Sequence, residues 1–110
     1  MKHIRYDVYI LLDIALANRT APDGYADACD RVLSSVRKLN GAEAWQPMLA
    51  RIHHAAHAWA DGESNDEFGI DTRSELTGRL DDLYIMLGIV YGLPSYYELR
   101  DELSDIVEEG

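Results

Sequence analysis

The apolar residues of this chain recur at helical spacing, and strong helix-ending signals separate the segments that carry them. Within each segment they fall three and four positions apart, which is the period of one helix face. Between the segments stand sequences that favour turns and helix ends: 20–24, 40–41, 61–62 and 92–94. No segment alternates polar and apolar residues convincingly as a half-buried strand does. A length of 110 residues is typical of one domain. The sequence therefore predicts an all-α fold, a single compact five-helix domain.

The first predicted helix covers about residues 4–18 and the second about 25–39. The third starts near Ala42 or Pro47 and ends at 61–62. The fourth covers 72–91, and the fifth runs from Ser95 onward. Capping boxes indicate two helix starts, Thr72 with Glu75 and Ser95 with Glu98. In the loop 61–71, Phe68 and Ile70 are expected to anchor to the core. The inner face expected for the second helix comprises Tyr25, Ala28, Cys29, Val32, Val36 and Leu39, and that of the fourth comprises Leu76, Leu80, Leu83, Leu87 and Val90.

Negative charge is concentrated in two short segments. The chain has 20 Asp and Glu against 10 Lys and Arg, for a net charge of -10. Residues 61–71, the acidic loop, contain five acids and no Lys or Arg, and residues 95–110 contain six acids and a single Arg. The rest of the chain is nearly neutral. Such a charge distribution disfavours direct binding to nucleic acid or to anionic membrane and favours cationic partners.

Six of these acids define a C-terminal carboxylate stripe at i, i+3, i+4, i+7, i+10 and i+11, the spacing of one helix face. On a helix, the stripe would extend about 16 Å. Like charges at this spacing repel, and acids near a helix C-terminus oppose its dipole, so the pattern costs folding free energy. The stripe consists of Glu98, Asp101, Glu102, Asp105, Glu108 and Glu109.

A rigid row of carboxylates at several-ångström spacing can occupy a basic groove built for a phosphate backbone. The sequence therefore predicts a non-enzymatic binding protein that occupies the basic, nucleic-acid-handling surface of a larger protein and inhibits it. Phage-encoded anti-defence inhibitors and nuclease immunity proteins behave this way as classes. The analogy is one of size, charge and architecture, and no motif here identifies a family. A solvated surface without a partner is the competing interpretation. The predicted partner-binding residues are the stripe together with Glu63, Asp66, Glu67 and Tyr97.

Two alternatives involve a metal ion. His53 and His57 are four apart on a predicted helix, as zinc ligands often are, and Asp61 continues that face. The residue after His53 is His54, where a helical zinc-protease motif needs Glu. Separately, Asp27-x-x-Asp30 could face an acid pair on the fifth helix and hold Mg²⁺, as in small all-helical nucleotide pyrophosphohydrolases. Acid pairs arise by chance in so acidic a chain, so we expect no metal, no other cofactor and no catalytic residue.

The remaining features describe the setting. Cys29 is the single cysteine and lies on the predicted apolar side of the second helix, which excludes an internal disulfide and fits a reducing, cytoplasmic compartment. Asp7 and Asp13 interrupt the apolar N-terminal stretch that would otherwise resemble a signal peptide. No apolar run reaches the roughly 20 residues that span a bilayer. The apolar excess on the fourth helix, at Ile85, Met86 and Ile89, suggests a homodimer.

Overall fold

The computed structural model describes residues 3–65 and 69–93. This part of the chain is all-α, as predicted, and contains four α-helices. It has no β-strand, only an isolated bridge between Asn65 and Asp71. The predicted fifth helix, from Ser95 onward, lies outside the described residues. The elements are α1 (Ile4–Ala17), α2 (Tyr25–Arg37), a 3-10 helix (Ala42–Trp45), α3 (Gln46–Ala60) and α4 (Thr72–Tyr91).

The helix ends follow the breaks in the sequence. Gly24 precedes α2 with φ +82°, Gly41 precedes the 3-10 helix with φ +84°, and Gly92 follows α4 with φ +63°. These left-handed conformations strain residues with a Cβ, which explains glycine at each break. The two starts considered for the third helix are both used, because a 3-10 turn from Ala42 leads into an α-helix whose second residue is Pro47.

α4 lies at the centre of the packing, against α1 on one side and α3 on the other. α2 completes the bundle by packing against α3 and α1. The leucines of α4 form the middle of the core, and Leu76, Leu80, Leu83 and Leu87 are fully buried. Tyr25 reaches across the core from α2, where its ring meets Trp59 edge-on and its hydroxyl donates to the Leu11 carbonyl oxygen at 2.8 Å.

Two predicted core positions are wrong, and the stripe predicted for α2 missed one buried residue. On α2, Leu33 is fully buried although the predicted stripe omitted it, while Ala28, Val32 and Leu39 of that stripe are partly buried against the core. Val90 is 57% exposed because the inward face of α4 continues from Leu87 to Tyr91, which packs against the core in its place. Ile70 is 52% exposed and so is not buried in the core as an anchor. Phe68, the other predicted anchor, lies outside the described residues.

The start of α4 also differs from the predicted capping box. Asp71, not Thr72, is the N-cap, and its carboxylate accepts a hydrogen bond from the Ser74 amide at 2.8 Å. Thr72 is buried, and its hydroxyl donates to the Glu63 carbonyl oxygen instead. This bond joins the two ends of the acidic loop, so the threonine is committed to the loop and the neighbouring aspartate caps the helix.

Two arginines join α1 and α4 by donating hydrogen bonds to backbone carbonyls. Arg73 donates through Nε to the Ala15 carbonyl at 2.6 Å and through Nη2 to the Leu16 carbonyl at 2.8 Å. Both acceptors belong to the last turn of α1, where carbonyls lack helical partners and the helix dipole favours a cation. The arginine thereby fastens the end of α1 to the start of α4.

Arg5 makes the corresponding contact at the other end of α4. Its Nε donates to the Tyr84 carbonyl at 2.8 Å, its Nη1 donates to the Leu93 carbonyl at 3.0 Å, and its guanidinium lies 4.2 Å from the centroid of the Tyr84 ring. The guanidinium approaches α4 so closely that a Cβ at Gly88 would lie 2.6 Å from Cζ. Gly88 is therefore the residue that admits Arg5 to the helix surface.

Alanine at Gly88 is expected to destabilise the protein, whereas alanine at Gly78 stabilises it. Both glycines lie in α4, where alanine has a helix propensity better by about 1 kcal/mol. Nothing lies within 4 Å of a Cβ at Gly78, so Gly78→Ala should raise the free energy of unfolding by about 1 kcal/mol. Gly88→Ala displaces Arg5, and the lost charge-assisted hydrogen bonds, about 2 kcal/mol together, outweigh that gain.

Urea unfolding followed by circular dichroism measures both effects. In an Arg5→Ala background the guanidinium is gone, so Gly88→Ala should there become as favourable as Gly78→Ala. Equal stabilisation by the two substitutions in the wild-type background would show that Arg5 is not held against the helix.

Several large apolar residues lie on the surface of α4. Ile85 is 45% exposed and Ile89 is 79% exposed. Two of the three residues of the apolar excess noted in the sequence are therefore at the surface, while Met86 is partly buried against the core. The homodimer remains a prediction. Of the helices described, none combines the length and hydropathy needed to cross a membrane.

Candidate functional site

The predicted partner-binding surface falls mostly beyond the described part of the chain. Glu63 is described and exposed. Its backbone is held at both ends, since its amide donates to the Ala58 carbonyl at 2.9 Å and its carbonyl accepts from Thr72. The side chain therefore projects from a fixed position just after α3. Outside the described residues lie Asp66, Glu67, Tyr97 and all six members of the C-terminal carboxylate stripe.

The acidic surface of the described residues has little internal neutralisation. Every described carboxylate except Asp30 and Glu75 is exposed. Within residues 3–65 and 69–93, Asp30 and Glu75 are also the carboxylates with a nitrogen of Arg, Lys or His within 4.0 Å of a carboxylate oxygen. The Arg51–Glu75 pair spans 3.8 Å with the arginine side chain 62% exposed, so it contributes little to stability. Arg5 and Arg73, as described above, are bound to carbonyls rather than to acids.

A second cluster joins two helices by pairing one carboxylate with two imidazoles. Asp30 of α2 receives both His53 and His57 of α3: its Oδ1 lies 2.7 Å from His53 Nδ1, and its Oδ2 lies 2.7 Å from His57 Nε2. The two imidazole rings lie 4.3 Å apart between centroids, tilted by 44°. Each of the three residues offers one metal-ligand atom, and these atoms all lie within 4.8 Å of one another. We call this group the Asp30–His53–His57 cluster.

The packing of α2 on α3 determines where the cluster forms. Asp30 directly follows Cys29, and the two histidines directly follow Ile52 and Ala56. Those three preceding residues are fully buried, so each cluster residue lies at the rim of the interface between α2 and α3. The side chains are 37% exposed for the aspartate, 50% for His53 and 39% for His57, which leaves the cluster open to solvent on its outer side.

The surroundings favour the carboxylate form of Asp30. Partial burial acts to raise the pKa of this carboxyl, but the hydrogen bonds and positive charge offered by the two histidines outweigh it. The net effect is a pKa below the usual range, so the group is an anion at neutral pH. The cluster therefore presents one carboxylate and two imidazoles to anything that enters it.

The neighbouring cysteine is buried and is not a reactive group. Cys29 is a free thiol with no exposed surface, as its sequence position predicts. Burial, with a smaller contribution from the charge of Asp30, raises the pKa of its thiol to about 12. A thiolate is the reactive form of cysteine, so a catalytic role for Cys29 is disfavoured.

The sequence anticipated two members of the cluster. The spacing of His53 and His57 indicated a shared helix face, which the ring contact confirms. The third residue was expected at Asp61 on the same helix, but Asp30, from another helix, takes that place. Spacing within one segment cannot reveal a partner from another helix, and the sole sequence clue was that Asp30 follows the buried Cys29.

The magnesium alternative also involved Asp30. Asp27 is exposed one turn before it, and the acid pairs expected to face them, on the fifth helix, lie outside the described residues. Both oxygens of Asp30 are already within hydrogen-bond distance of imidazole nitrogens. Magnesium prefers oxygen ligands, so a site that includes these nitrogens does not suit it. The alternative remains a sequence prediction.

Comparison with protein-family models finds no match, and searches of curated proteins and of solved structures likewise find none. The chemistry of the side chains is therefore the basis for assigning a function.

Proposed function

We propose that this chain is a small acidic helical protein that binds the basic, nucleic-acid-handling surface of a larger protein and inhibits it. The contact surface is the C-terminal carboxylate stripe, extended by Glu63, Asp66, Glu67 and Tyr97. Anti-defence inhibitors of phage and nuclease immunity proteins are the classes of protein whose action it would share.

The observation that carries the proposal is the uneven use of charge. Arg5 and Arg73 donate to backbone carbonyls, while nearly all described carboxylates are exposed without a basic partner among the described residues. Two of the eight Lys and Arg residues described are thus bound to carbonyls instead of to acids. The net charge of -10 therefore acts on the surroundings. A negative field of this kind speeds association with a basic surface and disfavours anionic partners.

Salt dependence tests the proposal. An affinity capture from the native host should recover a nucleic-acid-binding protein at about 0.1 M salt and lose it at about 1 M, because the screening length falls from about 10 Å to about 3 Å. The captured protein should bind DNA or RNA alone and release it when this chain is added. A partner retained at high salt, or one that binds nucleic acid and this chain together, would contradict the mechanism.

A further inference from the structure

The Asp30–His53–His57 cluster has a geometry that stability does not explain. Ion pairs with side chains exposed to this degree contribute little to folding. Yet three side chains from two helices bring one metal-ligand atom each to within 4.8 Å of one another. We propose that these residues bind a Zn²⁺ ion at the rim of the α2–α3 interface. The site involves none of the residues assigned to partner binding and stands independently of that function.

The distances suit zinc after a small adjustment. Zn²⁺ binds imidazole nitrogen and carboxylate oxygen at about 2.0–2.2 Å in tetrahedral geometry, which separates neighbouring ligand atoms by about 3.3 Å. The two nitrogen–oxygen distances are now 2.7 Å and would open by about 0.6 Å to that value. Any wider separation among the three ligand atoms, which is at most 4.8 Å, would close toward the same value. The ion would replace the proton between each imidazole nitrogen and the carboxylate. That proton either moves to the other ring nitrogen or leaves to solvent.

The donor set selects the metal. Two imidazole nitrogens and one carboxylate oxygen suit zinc and its neighbours among the transition metals, whereas magnesium and calcium favour oxygen ligands alone. Three protein ligands leave a fourth tetrahedral position for water or an outside ligand. The partial exposure of all three side chains keeps that position accessible.

The helices hold the ligands in advance. His53 and His57 are one turn apart on α3, so a single helix face presents both imidazoles. Asp30 is set opposite them because Cys29, Ile52 and Ala56, the residues before the three ligands, are fixed in the core. Zinc binding therefore requires side-chain rotation and no rearrangement of the backbone.

Zinc titration of the full-length, tag-free chain after removal of metal by a chelator is the test. We expect one zinc per chain and a melting temperature higher by about 10 °C at a hundredfold excess over Kd. His53→Ala and His57→Ala should each lose saturable binding, and Asp30→Asn should weaken it by about tenfold or more. His54→Ala is the matched control, because His54 is an exposed neighbour outside the cluster, and it should bind zinc as the wild type does.

Nuclear magnetic resonance of the wild-type chain decides the matter even if a variant fails to fold. Imidazole nitrogen shifts should report coordination through Nδ1 of His53 and through Nε2 of His57, the atoms that now face Asp30, while His3 and His54 stay unchanged. The proposal is overturned if the wild type shows no saturable zinc binding. It is equally overturned if the His53→Ala/His57→Ala double variant still binds zinc, or if the coordinated histidine is His3 or His54.

Discussion

Replacing Leu33 with alanine should lower the free energy of unfolding by about 3 kcal/mol, the loss typical of a leucine removed from a packed core. Leu33 has no exposed surface and is among the largest fully buried side chains. For a domain of this size the melting temperature should fall by about 12 °C. Urea unfolding should show a lower midpoint with an unchanged slope, because the exposed area on unfolding is nearly the same.

Leu39→Ala is the matched control for this prediction. The chemical change is identical, but Leu39 is only half-buried and lies past the end of α2, so a loss of about 1 kcal/mol is expected. The helical pattern of the sequence placed Leu39 on the inner face and did not include Leu33. A larger loss at Leu39 than at Leu33 would therefore favour the sequence pattern over the packing of α2 described here.

The full burial of Leu33, with Val32 only partly buried beside it, illustrates what periodicity can decide. Successive residues of a helix differ in direction by about 100°, so a stripe through Cys29 and Val36 passes near both positions. Either residue is apolar enough to be buried. The choice depends on how α2 rotates against α3 and α1, and that rotation is fixed by side chains from other segments. For the four α-helices described, the local pattern predicted their existence and, to within a few residues, their ends, because glycine and proline act on the adjacent backbone alone.

The same distinction separates the parts of the candidate sites that could be predicted. His53 and His57 belong to one helix, so their spacing was enough to place them together. Asp30 joins them from α2, and Asp71 displaces Thr72 as a cap because the threonine hydroxyl is taken by the acidic loop. Both outcomes depend on contacts between segments. The spacing of residues along the sequence does not reveal which of several residues will form a given hydrogen bond.

Neutralising three members of the carboxylate stripe, by Asp101→Asn, Glu102→Gln and Asp105→Asn, should weaken partner binding by about 100-fold. A partly desolvated ion pair across an interface contributes about 1 kcal/mol, and three such pairs give roughly that factor. The melting temperature should stay equal or rise, because like charges three and four apart on the predicted fifth helix no longer repel. Titration calorimetry with the captured partner at about 0.1 M salt would measure the affinity.

A second triple variant separates a local contact from the general field of the protein. Asp13→Asn, Asp23→Asn and Asp81→Asn change the net charge by the same amount, at exposed positions in α1, in the turn before α2 and in α4. If the stripe itself enters the basic groove, this control should lose only the long-range attraction, a few-fold at about 0.1 M salt and almost nothing at about 1 M. Equal losses in the two variants would mean that total charge, rather than the stripe, attracts the partner. Unchanged affinity in the stripe variant would remove the stripe from the interface altogether.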